Sequence, residues 1–290
     1  VNLVVPISMP EAVQRREPHI EYTAQRGSGV VGARTMQQPD GQIDIILNPA
    51  YLHAVSDANA REPALALVRR TIVHEAQHVT MRQRGSGFDE YVIGEDLSET
   101  ERAFAYSAVK LCDEHRAEWQ ATQPVRHRAE WQRVEQGAES VTVSDVADVL
   151  EALGQHLADA HNTYQAGPRT PGAVGQLLIS VLTACNVYWT ALGYWMAYER
   201  TSDADIREIA PDIASLPLWE RYVGDTWERL REILRSLPVE DLTTRPEILT
   251  AAMEGVAGTL RASLATIGFD YVDEERGSCF YINRFDFPTA

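Results

Sequence analysis

Between residues 170 and 198 the chain runs TPGAVGQLLISVLTACNVYWTALGYWMAY without a single charged side chain. Two arrangements accommodate such a stretch: a helix enclosed by other helices, or a bilayer span, for which about 20 apolar residues suffice. Gln176, Ser180, Thr183, Asn186 and Thr190 recur at steps of three and four, which draws a polar stripe down one side of a helix. That stripe favours the enclosed helix. The rest of the chain must then supply long helical partners, and a 3.6-residue period finds them in VSDVADVLEALGQHLADAH, PLWERYVGDTWERLREILRSL and RPEILTAAMEGVAGTLRASLATI. Trp189, Trp195, Trp219 and Trp227 fall at helical spacing in these segments and are expected inside the bundle.

The first fifty residues read differently. GVVGARTM and GQIDIILNP are strand-like, with Pro39, Asp40 and Gly41 as the turn between them. GQIDIILNP is equally compatible with an edge strand open to an extended peptide and with a strand inside the sheet. Residues 59–84 then return to a helical period, with Pro63 tolerable in the first turn and Gly85 as the stop. Leu67, Thr71, His74, His78 and Met81 share one side of this helix, so the histidines are expected to look inward. Ser98 and Glu101 form the reciprocal cap that opens a second long helix, which Pro124 is expected to interrupt. The end of the chain alternates as a hairpin around residues 275–277. The expected fold is α+β and predominantly helical. A unit over residues 1–135, a small sheet plus the histidine-bearing helix, precedes a helical region over 136–290 that ends in the hairpin, either as a separate domain or as one continuous body.

Charge and cysteine content narrow the partners. A formal net charge of −16 repels phosphate backbones, so no nucleic-acid partner is expected. Cys112, Cys185 and Cys279 are odd in number and never in a C-x-x-C arrangement, which points away from a disulfide framework or a cysteine zinc site and towards a reducing, cytoplasmic setting. The first residues show neither a basic leader nor a long apolar run, so no secretory signal is expected. No membrane partner is expected either; anchoring through residues 170–198 is the alternative.

The chemistry concentrates in TIVHEAQHVTMRQRG. Residues four apart lie one turn above each other on a helix, so His74 and His78 can aim their imidazoles at one point, while Glu75 lies beside that point. Two imidazole ligands and a carboxylate base make up the H-E-x-x-H arrangement of a zinc hydrolase, in which Glu75 accepts the proton of an activated water. A third protein ligand must come from elsewhere. Leu111, His115 and Glu118 share a helical face, so Glu118 emerges from the apolar side, where an unpaired carboxylate would be costly. Glu114, one turn earlier, would also serve. HRAEWQ occurs at 115–120 and again at 127–132, which makes Glu130 a rival beyond Pro124; Asp89 and Asp96 are further acids in range. Tyr91, Tyr106, His115 and His127 are candidates to stabilise an oxyanion, with His115 read rather as a core histidine.

On HEAQH at 74–78 the chain resembles the zincin metallopeptidases, over about residues 29–121. Met81 and Arg84 stand where the metzincin extension would place Gly and a third His, so the resemblance is to the gluzincin branch. In that branch a glutamate on a later helix is the third ligand, and EWQA at 118–121 looks like its E-x-x-A signature. The resemblance implies Zn²⁺ bound by His74, His78 and Glu118, Glu75 as general base, and a peptide or protein substrate. The rival reading is a non-catalytic scaffold of the same fold that binds a protein partner through its helical half.

Overall fold

The structure, a computed structural model, describes all of the chain except residues 20, 27–28, 58–60, 127–131, 240–242, 276, 285 and 288–290. It opens with β1 (Asn2–Val4), α1 (Met9–Gln14), β2 (Gln25–Arg26), β3 (Gly29–Val30), β4 (Ala33–Gln37) and β5 (Ile43–Leu47). Strands β1, β5 and β4 form one sheet in that order, with β1 parallel and β4 antiparallel to β5. All five residues of β5 are buried, because β5 is paired on both sides and covered on both faces. Of the two readings of GQIDIILNP, the interior one holds, and β4 takes the edge. Gly41, at φ 82°, closes the turn between β4 and β5 in a left-handed conformation that a β-carbon would disfavour.

Side-chain alternation along the sheet sorts its two faces. Met36 and Ile46 meet Met9, Ala12 and Val13 of α1 on one side. Ala33, Ile43, Ile45 and Leu47 meet Val79 on the other, and Val79 belongs to α3 (Arg61–Gln83), which follows the short α2 (Ala50–Ser56). The inward stripe of α3 differs in one member from the expected set, since Leu67 is exposed while Met81 is fully buried. Gly85, at φ 65°, ends the helix.

A 3₁₀ turn at Phe88–Glu90 leads to α4 (Glu99–Arg126). Ser98 and Glu101 cap it reciprocally: the Glu101 amide donates to the Ser98 hydroxyl at 3.1 Å, and the Ser98 amide to the Glu101 carboxylate at 3.0 Å. Pro124 does not interrupt α4. It sits in the last turn, where its missing N–H disturbs only the end of the ladder.

The helix α5 (Gln132–Ala166) runs through residue 135, and α6 (Pro171–Tyr198) is the uncharged segment. Thr170 caps α6 and Pro171 occupies its first turn. Leu177, Val181, Cys185, Tyr188, Leu192 and Trp195 bury one side against the neighbouring helices, while Gln176 and Thr183 of the polar stripe are exposed. By length and composition alone α6 is the one described helix that could cross a membrane. Short helices α7 (Ile206–Ile209), α8 (Pro211–Ala214) and α9 (Pro217–Tyr222) lead to α10 (Gly224–Ser236) and α11 (Pro246–Ile267). Trp195, Trp219 and Trp227 pack ring against ring in this core, with centroids 4.8 to 5.7 Å apart. The hairpin of β6 (Phe269–Glu274) and β7 (Gly277–Ile282) closes the chain as expected and lies on α11 and α4.

The candidate site lies among α3, α4 and α6. The first two pack side by side, with Met81 of α3 against Ala117 of α4, and α6 also packs on α4. Arg116, fully buried, fixes α4 by donating to Ser86 beyond the end of α3 and to the Pro238 carbonyl beyond α10.

Candidate metal centre

Helical spacing operates twice here. His74 and His78 are one turn apart on α3, Glu114 and Glu118 one turn apart on α4, and the His74 ring bridges that second turn. His74 Nε2 lies 3.0 Å from Glu114 Oε2, and its Nδ1 lies 3.0 Å from Glu118 Oε2. His78 Nε2 approaches the same point, 3.2 Å from His74 Nε2 and 3.7 Å from Glu114 Oε2.

A tetrahedral ion about 2.0–2.1 Å from each donor requires donor-to-donor edges of about 3.3–3.4 Å. The triangle of His74 Nε2, His78 Nε2 and Glu114 Oε2 has edges of 3.2, 3.0 and 3.7 Å, so these three residues could hold one divalent cation. Both oxygens of Glu118 are engaged otherwise. Oε1 accepts from Arg70 Nε at 2.7 Å, and Oε2 faces the side of His74 remote from the triangle. Glu118, the acid expected from the sequence, therefore stands behind the ring and orients it, while Glu114 joins the two histidines. With a cation in the triangle in place of the proton on Nε2, a carboxylate accepting Nδ1–H would fix the tautomer whose Nε2 lone pair faces that cation.

Electrostatics agree with this division. Burial opposes ionisation of Glu118, but the Arg70 guanidinium and the His74 ring hold its carboxyl below the usual range. Burial likewise opposes ionisation of Glu114, and hydrogen bonds from His74 and His78 outweigh it and lower its pKa well below normal. For His74 burial pulls the pKa down, yet the two glutamates prevail and raise it to about 10. The site is thus built around a positive charge, whether proton or metal.

Glu75 lies one residue further round α3, turned towards the sheet. Its Oε2 accepts the Thr35 hydroxyl of β4 at 2.7 Å. A further participant comes from the uncharged helix: the Tyr194 hydroxyl donates to Glu114 Oε2 at 2.6 Å, and its ring meets the His74 ring edge-on, with centroids 5.6 Å apart. Burial first, then Glu114, with smaller contributions from Glu118 and Glu75, pushes the phenol well above its ordinary pKa, so the group is a proton donor at neutral pH.

Tyr194 is placed by its neighbour. A β-carbon on Gly193 would fall 2.3 Å from Leu111 Cδ1, so any other residue there would force the buried Leu111 side chain aside. His115 completes the junction. Its Nδ1 donates to the Gly193 carbonyl at 3.0 Å while its Nε2 accepts from Arg200 at 3.1 Å, and burial lowers its pKa to about 4, as for a neutral core histidine.

No family model, curated protein or solved structure matches the chain.

The other sequence candidates fall elsewhere. Tyr91 is buried beside Cys112 and Asp113, and Tyr106 lies half exposed against Phe88. Asp96 is exposed. Glu130 and His127 lie outside the described residues, as does the side chain of Asp89. Tyr194 and Thr35 were not singled out from the sequence, where a tyrosine in an apolar helix and a threonine in a strand carry no local signal. Glu114 had one: EHRA at 114–117 fits E-x-x-A as well as EWQA does, and its alanine is the residue against Met81.

Proposed function

We propose that the chain is a zinc-dependent metallopeptidase with a zincin-like amino-terminal unit of the gluzincin type, hydrolysing a peptide bond with an activated water. The observation that carries this reading is the triangle of His74 Nε2, His78 Nε2 and Glu114 Oε2, whose edges suit one tetrahedral ion, with Glu75 next in the same helix. In this reading Glu114 is the third ligand and Glu118, backed by Arg70, orients His74. Zinc bound there would supply Lewis-acid polarisation of the scissile carbonyl and bring the pKa of water from 15.7 towards about 7.

The chain's own groups do the rest. Glu75 accepts the proton that the attacking water loses and delivers it to the leaving amine. Tyr194, a protonated phenol bonded to Glu114, turns its single proton from that carboxylate to the oxygen on which negative charge develops. The edge strand β4, which also holds Thr35 against Glu75, offers backbone N–H and C=O groups along which an extended peptide substrate adds as a strand.

The test is metal analysis combined with Glu75→Gln, assayed on a proteome-derived peptide library by mass spectrometry. One zinc per chain, with cleavage by the parent protein and none by the variant, supports the assignment. Undiminished cleavage by the variant, or a chain that takes up no zinc, defeats it.

A further inference from the structure

The α3-facing side of the small sheet is apolar at Ala33, Ile43, Ile45 and Leu47, and Val79 of α3 fills the space between. Thr35 occupies that same face, directly opposite Ile45 in the antiparallel pair. Packing alone would be served there by valine, which has the same shape and a stronger preference for strands. The hydroxyl instead reaches Glu75. It lies 2.7 Å from Oε2 and 3.4 Å from the Glu75 carbonyl, and its single proton goes to the nearer, charged acceptor. Among the described residues the other carboxylate oxygen, Oε1, accepts no hydrogen bond.

A glutamate side chain has three rotatable bonds and is partly solvent-exposed here, so without a tether it samples many directions. One short hydrogen bond from a rigid strand removes that freedom while leaving one oxygen to take a proton. We propose that Thr35 is the positioning residue for Glu75: the edge strand holds the general base by Oε2 and leaves Oε1 to take a proton. The proposal rests on the reading of Glu75 as base given above. It also joins two parts of the site, since a substrate paired to β4 would lie on the element that aims the base. A shift of the strand on binding would be passed to Glu75 through one hydroxyl.

The experiment compares Thr35→Val, which keeps the volume and removes the donor, with Thr35→Ser, which keeps the donor and removes the methyl. In zinc-loaded protein, Thr35→Val is expected to lower kcat about tenfold to a hundredfold with KM within about twofold, because a misaimed group loses rate rather than binding. Thr35→Ser recovers most of the loss, and zinc content is the same in all three proteins. Crystal structures of the parent and the valine variant give a readout that needs no turnover: Glu75 in one conformer against Thr35 in the parent, and in several or rotated conformers in the variant. An unchanged Glu75 conformer with unchanged kcat overturns the positioning role and leaves the peptidase reading standing. A parent protein without zinc or turnover defeats that reading, while the Glu75 conformers still decide what Thr35 does.

Discussion

Replacing Glu114 and Glu118 separately by glutamine asks which of two acids, one helical turn apart, would complete a zinc site with His74 and His78. Apparent zinc free energies of about 10–16 kcal/mol in four-ligand sites average about 2.5–4 kcal/mol per ligand, so deleting a ligand lowers affinity by about two to three powers of ten. Glu114 Oε2 stands 3.0 and 3.7 Å from the two imidazole nitrogens that share the triangle, and its replacement is expected to produce that full loss. Glu118 contacts the far side of His74, and removing such an outer partner typically costs 10–100-fold, or about 1.4–2.7 kcal/mol. Competition against a chromophoric chelator at fixed pH and salt measures both affinities. Glu114→Gln should therefore bind zinc about tenfold more weakly than Glu118→Gln, or worse. The reverse order would mean that Glu118 leaves Arg70 and swings into the triangle on loading, and the assignment made from distances would fall.

Two further outcomes follow from the site and its supports. In the zinc-free protein the glutamates raise His74 from 6.5 to about 10, so near neutral pH zinc must displace a proton. Zinc affinity is then expected to rise about tenfold per pH unit up to about pH 10, with close to one proton released per ion near pH 8, as calorimetry in buffers of different ionisation heat would register. The same raised pKa stabilises the zinc-free fold in full below about pH 6.5, and that contribution disappears as the pH rises through about 10. Gly193→Ala places a carbon 2.3 Å from Leu111 Cδ1, where about 3.5–4.0 Å is normal, and overpacking of this kind costs about 1–3 kcal/mol in a denaturant melt. Because Tyr194 follows directly, kcat should fall as well. Gly175→Ala on the same helix meets no atom within 4 Å and should instead stabilise by about 0.5–1 kcal/mol.

Local chemistry made much of this molecule legible in its sequence. The turn at Gly41, the stop at Gly85, the reciprocal cap of Ser98 and Glu101 and the terminal hairpin each depend on a few neighbouring residues, and each stands as expected. The pairing of His74 with His78 is equally local, being fixed by the pitch of a single helix.

Everything decided between elements lay beyond it. Glu114 and Glu118 lie on the same side of α4, and only the height at which α4 lies along α3, set by Met81 on Ala117 and by the Arg116 clamp, determines which of them meets the triangle. Thr35 and Tyr194 enter through contacts 40 residues away from Glu75 and 80 residues away from Glu114 in the chain. Nothing in a strand or an apolar helix marks the residue that will face a carboxylate. The sequence by itself determined which helix carries the two histidines and Glu75. The packing of four elements decided which glutamate joins the two histidines, the threonine bonded to Glu75 and the phenol beside Glu114, because contacts between distant segments arise from the shape of the whole core.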